Sequence, residues 1–235
     1  DRFKLRDSSD SMPIVPDGYR GDKSGDFSYV GADYKLGKTI RLSYFYGELE
    51  NFYRQNFAGV QHDLPLGPGV LTSDLRYFRS VDSGSAYGGK IDNHMLSGQL
   101  TYAVAGHTVG GGYQTLKGDA GLPYISGASV YSFSNAGIGK FVEEDEKTWM
   151  LNYGYNFAAL GVPGLTFSTR YLSGDDGESN TTIKEWERDA ELAYVVQQGS
   201  FKGLGVKLRN YVYRSEFSRG RDSNRIYLTY DIALW

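Results

Sequence analysis

Asn224-Arg225-Ile226-Tyr227-Leu228-Thr229-Tyr230-Asp231-Ile232-Ala233-Leu234-Trp235 is written for a strand that meets two different solvents. One parity reads Ile226, Leu228, Tyr230, Ile232 and Leu234. The other reads Arg225, Tyr227, Thr229 and Asp231. Successive strand side chains point to opposite faces, so one face suits hydrocarbon and the other water and ions. Trp235 shares the parity of Arg225 rather than that of the apolar stripe, which predicts a bulge or frayed end there. An amphipathic strand also fits a soluble sandwich, so the rest of the chain must decide.

Working backward, the same two-residue period recurs and helical periodicity does not. Leu204-Val206-Leu208 alternates with Lys207-Arg209-Tyr211-Tyr213, and Ala190-Leu192-Tyr194-Val196 with Asp189-Glu191-Ala193-Val195. Leu165-Phe167-Thr169-Tyr171, Trp149-Leu151-Tyr153-Tyr155, His94-Leu96-Gly98-Leu100-Tyr102 and Ile40-Leu42-Tyr44-Tyr46 repeat the pattern. Weaker copies lie near residues 1–6, 26–36, 52–62, 70–80 and 106–116. The total is about twelve strands, each near the ~9–11 residues that cross a bilayer at a tilt.

The connections separate a membrane barrel from a sandwich. One set is short and rich in Gly or Pro: Leu36-Gly37, Leu64-Pro65-Leu66-Gly67, Ala105-Gly106, Gly161-Val162-Pro163-Gly164 and Gly199-Ser200. The other set is long and polar: residues 7–25, 81–91, 117–146, 174–184 and 217–223. Only the connection near 49–51 breaks the alternation. Short turns at one end and long loops at the other are what outer-membrane barrels show, and a sandwich has no reason to keep that asymmetry. The fold class read from the chain is therefore all-β, an antiparallel transmembrane β-barrel, with residues 1–235 as one barrel domain in the bacterial outer membrane. A terminal aromatic such as Trp235 is what the outer-membrane assembly machinery favours, which makes that machinery an expected partner during biogenesis.

Composition agrees. In 235 residues there are 20 Tyr, 31 Gly and no Cys. Tyr suits strands and membrane interfaces, where the ring is buried and the hydroxyl stays wet. No run approaches the ~18 apolar residues of a helical span. Without Cys there is neither a disulfide framework nor a thiolate metal site. A formal charge of −3 gives no reason to expect a nucleic-acid partner.

Several stretches resemble one known family: Gly-Ala-Asp-Tyr (31–34), Gly-Pro-Gly-Val-Leu-x-Ser-Asp-Leu-Arg (67–76), Leu-Ser-Gly-x-x-Thr-Tyr (96–102) and Gly-His-x-x-Gly-x-Gly-Tyr-Gln (106–114). Gly-Val-Pro-Gly-Leu-Thr-Phe (161–167), Tyr-Leu-Ser-Gly-Asp (171–175), Glu-Trp-Glu-Arg-Asp (185–189) and Phe-Lys-Gly-Leu-Gly (201–205) follow in order. From Gly31 to Trp235 the chain resembles the OprD family of substrate-specific outer-membrane channels. The resemblance implies a monomeric 18-stranded barrel that admits small carboxylate-bearing solutes, amino acids and aromatic acids among them. The chain then corresponds to strands 7 to 18. Because it opens mid-pattern, an N-terminal part carrying six strands and the family's main inward loop is expected ahead of it.

A pore that prefers carboxylates needs fixed cations along its path, because an anion otherwise pays desolvation to enter. Water-facing parity supplies Arg41, Arg76, Arg170, Lys207, Arg209 and Arg225. Arg is always charged and grips a carboxylate through two parallel hydrogen bonds. The resemblance implies a basic ladder up the wall, with Arg225 at the family's position on the final strand and Arg209 and Arg214 on the penultimate one. Arg214 has lipid parity and joins the ladder only if the strand bulges near Asn210. Asn152 stands where some relatives carry Arg. The bland reading makes each Arg wall furniture paired with Asp74, Asp189, Glu191 or Asp231. The resemblance also implies that residues 7–25 and 117–146 are inward-folding loops. The segment around Asp119 and Tyr124 is expected at a constriction, Asp119 facing the ladder across the lumen.

Enzyme readings are weaker. His62, His94 and His107 share no metal-ligand spacing, so no metal and no cofactor is expected. An outer-membrane hydrolase, of phospholipase or protease type around His94 with Asn93 or Asp92, is the alternative, without a nucleophile motif to support it. Asp175-Asp176-Gly177-Glu178 lacks the spacing of a Ca²⁺ loop.

Overall fold

The computed structural model describes residues 14–175 and 184–230. Eleven strands follow one another: β1 Phe27–Leu36, β2 Ile40–Leu49, β3 Tyr53–Leu66, β4 Gly69–Asp82, β5 Asp92–Val104, β6 His107–Gly118, β7 Lys147–Asn156, β8 Leu165–Asp175, β9 Lys184–Val195, β10 Gly205–Ser215 and β11 Arg221–Thr229. They form one antiparallel sheet in sequence order, β1 and β11 at its edges. The weak repeat at residues 1–6, the fraying expected at Trp235, Asp231 as a partner, and most of the 174–184 loop lie outside the described residues.

Parity works as the sequence implies. Ile226, Leu228, Leu208, Leu192, Leu151, Leu100 and Val60 all stay exposed on one face. A surface of that area would drive a soluble protein to aggregate, and here it is the lipid face. Outward aromatics gather at two levels. Trp149, Tyr171 and Trp186 stack in a row toward the long-loop end, at 5.3 and 5.8 Å between ring centroids. Tyr153, Tyr155 and Phe167 lie toward the short-turn end. Such girdles mark the two membrane–water interfaces.

The turns keep the predicted asymmetry. Ala105-Gly106 joins β5 to β6 with φ of 48° and 84°, the mirror-image turn whose twist matches two flanking strands. Residues 119–146 form the long excursion between β6 and β7.

The apolar core lies inside the curve of the sheet, because the lipid face has no protein to bury it. Phe57, Phe78, Met95 and Leu116 from β3 to β6 pack with Leu122, Val130 and Val142 of the long loop. Met150 and Leu172 pack with its Phe133, Ala136 and Phe141. Each of these side chains larger than Ala136 gains ~1.5–3 kcal/mol by leaving water, which holds the loop against the inner wall rather than over the rim.

Candidate functional site

Backbone carried into a lumen must find hydrogen-bond partners there, and polar wall side chains provide them. Gln55 Nε2 on β3 donates to Pro123 O at 3.2 Å. Asn93 Nδ2 on β5 donates to Ala120 O at 3.0 Å and Gly121 O at 2.8 Å. Gln114 Nε2 on β6 donates to Phe141 O at 2.7 Å. From β9, Glu187 accepts from Ile138 N at 2.8 Å and Gly139 N at 2.6 Å, while Asp189 Oδ2 accepts from Gly137 N at 3.2 Å. The close approach requires glycine: a Cβ on Gly137 would stand 2.3 Å from the Tyr211 ring. At Gly112 on β6 the wall itself is bare, and a Cβ there would meet the Phe133 ring at 3.2 Å.

The loop ends on Glu146, fully buried, whose carboxylate accepts from Glu143 N at 2.9 Å and Thr148 Oγ1 at 3.2 Å. Burial, and then the neighbouring carboxyl of Glu185, push its pKa up. Burial likewise raises Tyr124, whose hydroxyl donates to Asp17 Oδ2 at 2.7 Å. Residues 14–25 contact this loop through the Pro16–Ile125 bridge. Both stretches expected to fold inward therefore pack together on the inner side, among the described residues.

The predicted cations divide into two sections of wall. On β1 to β4, Arg41 and Arg76 line a recess of about 540 Å³ with Phe45, Phe57, Phe78 and Tyr131. Arg76 pairs with Asp74 at 2.6 Å and lies over the Tyr131 ring, 4.3 Å from its centroid. On β8 to β10, Arg170 and Arg209 line a second recess of about 570 Å³ with Asn152, Asp189 and Glu191. Arg170 pairs with Asp189 at 2.8 Å. Glu191 is shared by Arg209 and by Lys207, the latter at 3.3 Å. Arg225 lies over the Tyr211 ring at 4.9 Å and donates to Ser223 Oγ at 3.1 Å. Lys207 and Arg209 thus share the carboxylate of Glu191, while Arg225 meets a ring and a hydroxyl rather than a carboxylate among the described residues, which leaves positive charge in surplus.

Two expected site residues lie elsewhere. Pairing of β10 with β9 and β11 runs through Asn210 without a bulge, so Arg214 keeps its outward parity and pairs with Asp222 at 2.6 Å. It stands off the lumen wall. Asp119 pairs with Lys90 at 2.7 Å, both side chains more than half exposed, instead of facing the ladder. Leu122, Tyr124 and Phe133 do the inward packing. Spacing along one loop cannot reveal a partner supplied by another.

Asn93 and His94 point to opposite faces, and Asp92 is occupied by Arg79 at 2.5 Å. Sequence reasoning missed the fastening acids Glu187 and Asp189. Their signal is visible as Glu185-x-Glu187-x-Asp189-x-Glu191, four successive acids on one parity of a strand beside a long loop.

A sequence model described as outer membrane porin, OprD family, matches residues 1–234. This chain belongs to the OprD family. The porin-like protein GalP of Pseudomonas putida is 35% identical over 215 residues, 90% of this chain and 52% of that protein. Porin D of Pseudomonas aeruginosa is 29% identical, covering 92% of this chain and 55% of the relative. The crystal structure of OccK5 (OpdH) of Pseudomonas aeruginosa superposes with a TM-score of 0.91 at 42% identity, over 96% of this chain and 64% of that one. OpdK of the same organism, solved with vanillate, gives 0.90 at 34% identity, over 96% of this chain and 61% of that one. The chain thus spans about half the length of the curated OprD relatives. These relatives are porins, and OprD porins reside in the outer membrane, which is this chain's location.

Proposed function

We propose that this chain forms part of a monomeric single-domain channel for selective, passive entry of small carboxylate-bearing solutes, without catalysis or cofactor. The observation that carries the reading is the surplus of cations on β10 and β11. Arg209, Lys207 and Arg225 face the lumen with Glu191 shared between two of them, so an entering carboxylate replaces water on guanidinium groups already held in place by ring stacking and neighbouring hydrogen bonds. A conducting site must also release its solute. Pairing each Arg with a wall carboxylate or an aromatic face keeps the grip weak.

The first recess refines the solute. Phe45, Phe57, Phe78 and Tyr131 surround an apolar space flanked by Arg41 and Arg76, a lining that suits a ring-bearing acid more than a short amino acid. A relative solved with vanillate, an aromatic carboxylate, supports that choice. Planar-bilayer recording with the protein tests it. Benzoate-type acids added to one side should interrupt the current at concentrations where aliphatic amino acids do not. Equal insensitivity to both would refute the carboxylate reading, and equal sensitivity would refute the aromatic preference.

A further inference from the structure

On the lipid face, charge is distributed as unevenly as loop length. Every outward Lys or Arg of the described strands lies toward the long-loop end: Arg54, Arg79, Lys117, Lys147, Lys184, Arg188 and Arg214. The outward residues of the short-turn half are apolar, aromatic, small or His, with no Lys or Arg among those described. A charged side chain on the lipid face is tolerated only near the interface, where its cost falls and the headgroups lie. In this family's membrane the long-loop end faces outward, toward a leaflet built of phosphorylated glycolipid.

On β9 and β10 this belt carries Lys184, Arg188 and Arg214. Arg188 is directly opposite Tyr171 on β8 and Val212 on β10, and Arg214 is directly opposite Trp186. Both bases therefore sit level with the aromatic girdle that marks the interface. A chain of amides orients Arg188, whose Nη2 donates to Asn210 Oδ1 at 2.6 Å while Asn210 Nδ2 donates to Asn224 Oδ1 at 2.8 Å; Arg214 is oriented by Asp222, to which it donates at 2.6 and 3.2 Å. On the outer face Asn210 interrupts the apolar stripe of Leu208 and Val212, and Asn224 lies between Asp222 and Ile226, with Leu228 beyond. Two amides and two guanidinium groups beside a Trp–Tyr stack make a surface for a phosphosugar: phosphate on the Arg groups, sugar hydroxyls on the amides, and acyl chains along the apolar stripe below.

We propose that the outer face of β9 to β11, through Arg188, Arg214, Asn210 and Asn224, binds the phosphorylated disaccharide of outer-leaflet glycolipid. Asp222 yields Arg214 when the phosphate arrives, and Arg188 uses the guanidinium N–H groups that Asn210 leaves. The site lies outside the solute path, so its success or failure is independent of the transport reading.

The test uses the protein refolded into zwitterionic detergent, its folding verified by heat-modifiable gel mobility. It is titrated with labelled diphosphoryl lipid A, monophosphoryl lipid A and phosphatidylglycerol in separate arms, and with inorganic phosphate as competitor. Diphosphoryl lipid A should bind tightest and millimolar phosphate should not displace it. The R188Q/R214Q double variant should weaken it about thirtyfold, as expected for two interfacial cations. N210V, which suits a strand and removes no charge, should weaken it several-fold and provides the test if the double variant does not fold. K38Q, in the turn at the opposite end, should bind as the parent does. Parent-like binding by R188Q/R214Q or by N210V would overturn the proposal. So would phosphatidylglycerol binding as tightly as lipid A, or displacement by inorganic phosphate.

Discussion

Glu187→Ala should release the inner loop while leaving the barrel wall standing. In the parent, both carboxylate oxygens of Glu187 are committed to consecutive loop amides, Ile138 N at 2.8 Å and Gly139 N at 2.6 Å. Glu187 is fully buried, so no water replaces it without the loop moving. Each buried donor left unpaired costs ~1–3 kcal/mol, and two of them make about 2–6 kcal/mol. The loop pays this by detaching locally, because β9 keeps its ladder to β8 and β10. Hydrogen exchange read by mass spectrometry reports the outcome: protection over residues 134–141 should fall by at least ~30-fold, the factor corresponding to 2 kcal/mol, with the strands unchanged. Single-channel current should become noisier and larger on average. Glu187→Gln, which keeps one acceptor, should sit between the two. If residues 134–141 stay protected in Glu187→Ala, the loop is held by its apolar contacts alone and the reasoning fails.

Arg209→Ala with Arg225→Ala should lower carboxylate flux in liposomes at low salt and leave folding intact, and the difference should shrink near 1 M salt, where screening shortens to ~3 Å. Replacing residues 120–142 by a short Gly-Ser link should raise conductance and relax selectivity, measured in planar bilayers, whereas Asp119→Asn should change neither, since Asp119 is engaged with an exposed Lys90. Burial raises the pKa of Glu146, so the folded loop holds a proton that the released loop gives up. Loop attachment should therefore weaken as pH rises above the ordinary carboxylate range, and Glu146→Gln should reduce that dependence in hydrogen-exchange profiles.

Strands were legible because membrane and lumen impose opposite demands on adjacent residues, and Ile226 beside Arg225 states this without any tertiary information. Turn asymmetry was legible for a similar local reason, as at Ala105-Gly106. The site was legible only halfway. Parity placed Arg76, Arg170, Lys207 and Arg209 on the wall, but their carboxylate partners come from cross-strand register, which periodicity leaves open. Arg214 reaches the lumen only through a bulge, and the ladder contains none there. Loop position alone points Asp119 at the ladder, whereas its partner Lys90 sits in a different loop. Leu122, Tyr124 and Phe133, costly to leave in water, agree with the inward fold of residues 119–146 that the family resemblance implies. What fixes it is a set of wall acceptors and donors scattered over β3, β5, β6 and β9.

Phe133 seated over the bare backbone of Gly112 carries a consequence for how such a pore changes bore. Loop and wall meet there without an intervening side chain, so the depth at which the loop rides is gauged by one missing methyl group. Gly112→Ala would act as a shim, lifting the loop by a few tenths of an ångström toward the axis, with no lumen charge altered. Calibre and chemistry are therefore separately adjustable in this chain: the first by small residues under the loop, the second by the cations on β10 and β11.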